Sequence, residues 1–191
     1  MGGLYEILYD ILFQPKIAME NIKEGKKVGQ AFLVFLPCMI LPIWTFITAF
    51  HAADMGKMMN MMLVLEVLGG MVIWILGATI WNLIAELFGG RGSAASLFTA
   101  LGFIHIVRLA IIPLWALVAL MPEDSRTFLT VVSMLTVIAW AFYLDFVAIK
   151  EVHQLSAAKT VLVMITPMLF LGLLCTIAVI FVGSSLMHMS I

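Results

Sequence analysis

Hydrophobic residues along this chain run in five long, nearly unbroken blocks instead of alternating with polar residues at a regular period. The blocks extend from Val28 to Phe50, Met61 to Leu83, Phe98 to Leu120, Thr127 to Ile149 and Val161 to Leu186. Each can supply the roughly 20 apolar residues that carry a helix across the hydrocarbon core of a bilayer. Short polar breaks separate them: Asp54-Met55-Gly56-Lys57, Gly89-Gly90-Arg91-Gly92-Ser93, Pro122-Glu123-Asp124-Ser125-Arg126 and Lys150-Glu151-Val152-His153-Gln154. Breaks this short predict a single bundle over residues 28–191, with Ser93 and Ser156 placed to cap the helices that follow them. Residues 1–27 have a different rhythm. Leu4, Ile7, Leu8, Ile11 and Leu12 share one helical face with Glu6 and Asp10 opposite, so the spacing predicts a short amphipathic helix that Pro15 ends. Such a helix either lies among lipid headgroups or packs on the bundle. The expected fold class is therefore all-α: five transmembrane helices plus a short N-terminal amphipathic helix.

Composition narrows the class further. Of 191 residues, 64% are hydrophobic and 11% charged, against about a quarter charged in soluble domains. That excludes both a water-soluble globule and a disordered chain. A net charge of -1 provides no basic field for nucleic acid. The start lacks the basic run of a signal peptide and carries Glu6 and Asp10 instead. Glu6 also stands where a myristoylation motif calls for Ser or Thr. Cys38 and Cys175 lie inside apolar blocks, where a thiol behaves as a small hydrophobe, so no disulfide framework is expected. Lys16, Lys23, Lys26, Lys27, Arg91, Lys150 and Lys159 fall on one side of the five-span topology, and only Lys57 and Arg126 fall on the other. The positive-inside rule then predicts a cytoplasmic N-terminus and an external C-terminus.

Ionisable residues inside the spans carry the candidate chemistry, because a charge in hydrocarbon costs about 3 kcal/mol or more. Glu66, Arg108 with His105 one turn before it, and Asp145 are these residues. Glu66 shares its stripe with Met62, Gly69, Gly70, Ile73 and Gly77, and glycines on a stripe allow another backbone close. Asp145 shares its stripe with Ala141 and Ala148. Residue counting puts Arg108 roughly 5 Å from Glu66 in depth, within reach of its long stem. A Glu66–Arg108 pair is expected, with His105 nearby. It reads as an ion pair that fixes helix register, as a proton or solute site, or as an arginine that snorkels towards lipid. Pro37, Pro42, Pro113 and Pro167 lie within spans and are expected to bend them.

Two further patterns carry possible chemistry. His51, Met55, Met58, Met59, Met62, Met187, His188 and Met189 gather at the predicted outer edge, and thioether with imidazole suits Cu(I). Methionine also fills irregular interfaces without any metal, which is the simpler expectation, and no cofactor is expected. Ser156-Ala157-Ala158-Lys159 matches S-x-x-K, but the companion motifs of that catalytic class are absent. Gly89-Gly90-Arg91-Gly92-Ser93 lacks the Lys-Ser/Thr of a phosphate loop, so no enzymatic activity is expected.

Three stretches taken in order resemble one family. Leu8-Tyr9-Asp10-Ile11-Leu12-Phe13-Gln14-Pro15, continued by Ala18-Met19-Glu20-Asn21-Ile22, is similar to the start of bacterial Yip-domain proteins. So is Ala85-Glu86-Leu87-Phe88-Gly89-Gly90-Arg91-Gly92-Ser93 with Leu101-Gly102-Phe103. Trp140 and Tyr143 through Val152-His153-Gln154-Leu155-Ser156-Ala157-Ala158-Lys159 resembles the loop before that family's last span. The resemblance implies a five-span bundle with a cytoplasmic N-terminus, and it places Glu86, Arg91, His153, Ser156 and Lys159 in cytoplasmic loops. Its eukaryotic members are Ypt/Rab-interacting proteins, which engage prenylated small GTPases and support vesicle formation. Here the segment before the first span is under 30 residues, and the family's proline after the Gly-aromatic pair is displaced to Pro113. The expected function is a non-enzymatic adaptor or membrane-organising module in the bacterial inner membrane. Its partners are lipid and a protein or second copy within the membrane. The alternative is a small transporter or channel built on Glu66, His105 and Arg108.

Overall fold

In a computed structural model, residues 4–24, 27–49 and 56–189 are described, with side chains over 4–23, 27–45 and 60–181. Among the described residues the fold is all-α. The elements are α1 (Leu4–Phe13), α2 (Pro15–Glu24), α3 (Val28–Ala49), α4 (Gly56–Leu87), α5 (Ala94–Ile104), a 3₁₀ turn (His105–Ala110), α6 (Ile111–Ala119), α7 (Glu123–His153) and α8 (Ala157–Met189). Five spans are long and apolar enough to cross a membrane: α3, α4, the α5-to-α6 run, α7 and α8. The chain is an integral membrane protein.

Helices α4 and α7 outrun the apolar blocks at both ends, because a helix continues through the headgroup zone until a specific stop. For α7 the stop is Gln154 at φ 55°, whose N–H and that of Leu155 both donate to the Lys150 carbonyl. For α4 it is the turn at Gly89, whose φ of 86° a side chain would strain. Ser93 caps α5 by accepting the Ser96 N–H at 3.2 Å. Ser156 precedes α8, and its carbonyl accepts the Thr160 N–H at 3.0 Å.

The N-terminal segment is two helices where the sequence pattern indicated one. Pro15 does end α1, but it also opens α2, since its fixed φ suits the first helical position and its missing N–H is not needed there. Ile7 and Ile11 of α1 and Ala18, Met19 and Ile22 of α2 are buried. Both helices pack on the bundle, α2 against α5 and α7 and α1 against α2 and α5. With Leu97, Phe103, Ile149 and Val152 they form a dense core at one end of the molecule.

The third span is not one continuous α-helix. Pro113 has no N–H to offer the Leu109 carbonyl four residues back, and that carbonyl accepts from Ile111 instead. The ladder shortens to a 3₁₀ turn over His105–Ala110 just before it. At the opposite extreme, α8 packs on α4 and α7 near its start, where Thr160 and Val163 are buried, and then leaves the core. Phe170, Leu171, Leu174 and Phe181 present their side chains outward.

Candidate functional site

A 3₁₀ turn has three residues per revolution, so side chains three apart eclipse. His105 and Arg108 consequently stand one above the other on the face that looks towards α3, α4 and α7. Arg108 Nη2 donates to Glu66 Oε1 at 2.6 Å, and Nη1 meets the Met39 Sδ at 2.7 Å. His105 Nδ1 lies 2.9 Å from the Leu101 carbonyl oxygen, which can only accept, so the ring proton sits on Nδ1. The ring stands edge-on to Phe35 at 4.9 Å and beside Trp74 at 5.9 Å. Trp74 is itself fixed: its Nε1 donates to the Phe98 carbonyl at 2.9 Å, and it stacks on Phe98 at 4.1 Å. A Cβ on Gly102 would collide with this indole, so glycine is required there.

The pair is neither sealed nor bare. The Arg108 and Glu66 side chains keep 40% and 33% of their surface exposed, which places them at the bottom of a cleft. Two cavities meet at Arg108, Val137 and Ile138. One, about 420 Å³, reaches Trp74, Trp81, His105 and Asp145; the other, about 400 Å³, reaches Pro42, Glu66, Trp115 and Met134. Ile73, Ile138 and Phe142 on the rim are exposed and lie within membrane spans. The cleft therefore opens sideways, between α4 and α7. The glycine stripe beside Glu66 behaves differently from the close backbone approach its sequence suggested. Gly70 makes room for the Met39 and Phe35 side chains, while a Cβ on Gly69 or Gly77 would meet nothing within 4 Å. Gly77 widens the cavity wall; it does not close it.

The structure thus pairs Arg108 with Glu66 and stacks it over His105, and Asp145 lines the cavity that His105 and Arg108 share. Asp145 makes no hydrogen bond or ion pair among the described residues. Met39, Trp74, Trp81 and the α7 rim were not singled out in the sequence. The spacing of Gly70, Trp74, Gly77 and Trp81 on one α4 face is the signal that would have found them.

The loop residues form a separate cluster at the α1–α2 end. His153 is fully buried with both ring nitrogens unpaired among the described residues. The Gly90–Gly92 loop folds over it, the Arg91 N–H donating to the His153 carbonyl at 3.0 Å. A Cβ on Gly92 would stand 2.6 Å from the Val152 carbonyl oxygen and 2.8 Å from His153 Nδ1. Lys159 Nζ donates to the Phe88 carbonyl at 2.8 Å, tying α8 to the end of α4, while Glu86 Oε1 accepts from Asn82 Nδ2 at 2.8 Å. Of the methionine rim, His51 and Met55 lie outside the described residues. Met58, Met59, Met187, His188 and Met189 lie on described backbone only, and Met62 is an exposed side chain of α4.

The family profile described as Yip1 domain matches residues 9–180, from within α1 to within α8. The chain belongs to the Yip1 domain family. The residues of the loop cluster and of the cleft both lie within the matched range. No curated protein and no solved structure matches the chain.

Proposed function

We propose that this Yip1-domain protein is a non-enzymatic membrane-organising module that works through helix and lipid contacts. The observation that carries this reading is the direction in which its polar centre opens. One end of the bundle is filled by α1, α2 and the core around Phe103, Ile149 and His153. The Glu66–Arg108 pair instead meets the bilayer through a side cleft rimmed by Ile73, Ile138 and Phe142. A conduit needs polar lining towards both faces of the membrane, whereas a module that holds a lipid or a neighbouring helix needs a lateral opening. The outward apolar faces of α4 and α8 offer further surface to lipid, to a partner or to a second copy. By the distribution of basic residues, the N-terminus and the α4–α5 and α7–α8 loops face the cytoplasm and the C-terminus lies outside.

Flux through reconstituted vesicles tests the reading. Purified protein in proteoliposomes loaded with a proton- or potassium-sensitive dye should pass no more ion than empty vesicles. Flux that Arg108→Met abolishes, with the protein still folded, would establish the transporter instead.

A further inference from the structure

The cavity of about 420 Å³ beside Arg108 carries charges that no simple ion satisfies. Arg108 has five N–H donors; Glu66 takes one at Nη2, and the thioether of Met39 is a weak acceptor for Nη1. Asp145, which lines the same cavity, has no hydrogen-bond or ion-pair partner among the described residues. An under-served guanidinium and a lone carboxylate in a membrane are both costly unless something meets them. A free anion is drawn to Arg108 but repelled by Glu66 and Asp145. A free cation reverses the problem. A zwitterion satisfies both ends. At 1.5 Å per α-helical residue and about 2.0 Å per 3₁₀ residue, with the α5 and α7 ends level where Arg91 meets His153, the two groups differ by roughly 11 Å in depth. An extended headgroup, with a contact distance at each end, spans that gap. The exposed rim residues Ile73 and Phe142 lie within the spans, so an occupant arrives from the bilayer.

We infer that this cavity holds the headgroup of a zwitterionic phospholipid, its phosphate on Arg108 and its ammonium against Asp145. The acyl chains leave between α4 and α7 past Ile73 and Phe142, and Gly77 leaves space on the α4 wall for the head. The inference rests on the lipid-contact reading proposed above and names its ligand class.

Native mass spectrometry of the full chain in detergent tests it. The probes are phosphatidylethanolamine, phosphatidylcholine and phosphatidylglycerol with identical chains, and phosphoethanolamine as the head alone. One zwitterionic lipid, of either headgroup, should be retained about tenfold over phosphatidylglycerol through the attraction of its ammonium to the carboxylate. Asp145→Asn should reduce that preference to near parity, and Asp145→Ser should do the same if the amide variant fails to fold. Equal retention of phosphatidylglycerol, an unchanged preference in both Asp145 variants, or binding of phosphoethanolamine as tight as the lipid would overturn the assignment. So would a dimer that excludes all three lipids. Any of these results in a protein that passes no ions removes the headgroup site and leaves the membrane-organising reading standing. Ion flux would remove that reading instead.

Discussion

Arg108 shows how one side chain is held by three separate requirements. The 3₁₀ turn aims it, Glu66 neutralises it, and Met39, seated in the hollow that Gly70 leaves, closes one side of it. Arg108→Met strands a carboxylate against apolar walls. The expected loss is about 2–3 kcal/mol, below the figure for a fully buried pair because both side chains are part-exposed. Glu66→Gln/Arg108→Met should recover most of that loss in detergent unfolding curves, and additive losses would show that the two residues do not act as a pair. Gly92→Ala should cost about 2 kcal/mol or more, because its Cβ meets the Val152 carbonyl oxygen and the His153 ring, neither of which can yield cheaply. The ion pair was legible in the sequence because each charge lies on a stripe and counting gave the depth. Met39 was not, since a methionine in an apolar run looks like any other until its neighbour across the bundle is known.

Elements were readable to the extent that hydrophobicity defines them. All five spans stand where the apolar blocks predict, because the length of a crossing helix is a property of the bilayer. Their ends were not readable from hydrophobicity, since α7 stops at the left-handed Gln154 and not where apolar residues cease. Helix α2 was missed although Pro15, Ala18, Met19 and Ile22 carry its signal, because Pro15 reads as the end of a helix and not also as the start of one. The break in the third span follows from Pro113, but its position four residues ahead of the proline depends on which carbonyl is left without a donor. Packing of α1 gives an element-level prediction. Ile7→Asp/Ile11→Asp should detach α1 from the bundle, exposing residues 4–13 to protease in detergent while the spans stay intact. Wild-type rates of cleavage in that variant would mean that α1 is not docked through these residues. Alanine at Leu174 or Phe170 on the outward face of α8 should change stability by under about 0.5 kcal/mol, against about 2–3 kcal/mol for Leu97→Ala.

At the scale of the whole molecule, the two ends of the bundle are built differently. Short helices and the glycine loop over His153 pack one end densely, and the polar centre beyond it looks sideways between α4 and α7. Hydropathy identifies the spans without saying how they are arranged, so the lateral opening was not legible in the sequence. It depends on Gly77 leaving a wall open and on α8 diverging from the core after Val163. The account requires that the cleft meet lipid and not water. A spin label at Phe142→Cys, in a background of Cys38→Ala/Cys175→Ala and in reconstituted bilayers, reports this through its collisions with oxygen and with a water-soluble nickel chelate. High oxygen and low nickel accessibility, the reverse of a label at Asp124→Cys in the exposed first turn of α7, is the predicted result. Nickel access at Phe142 equal to that at Asp124 would mean a water-filled path through the protein and would contradict the account.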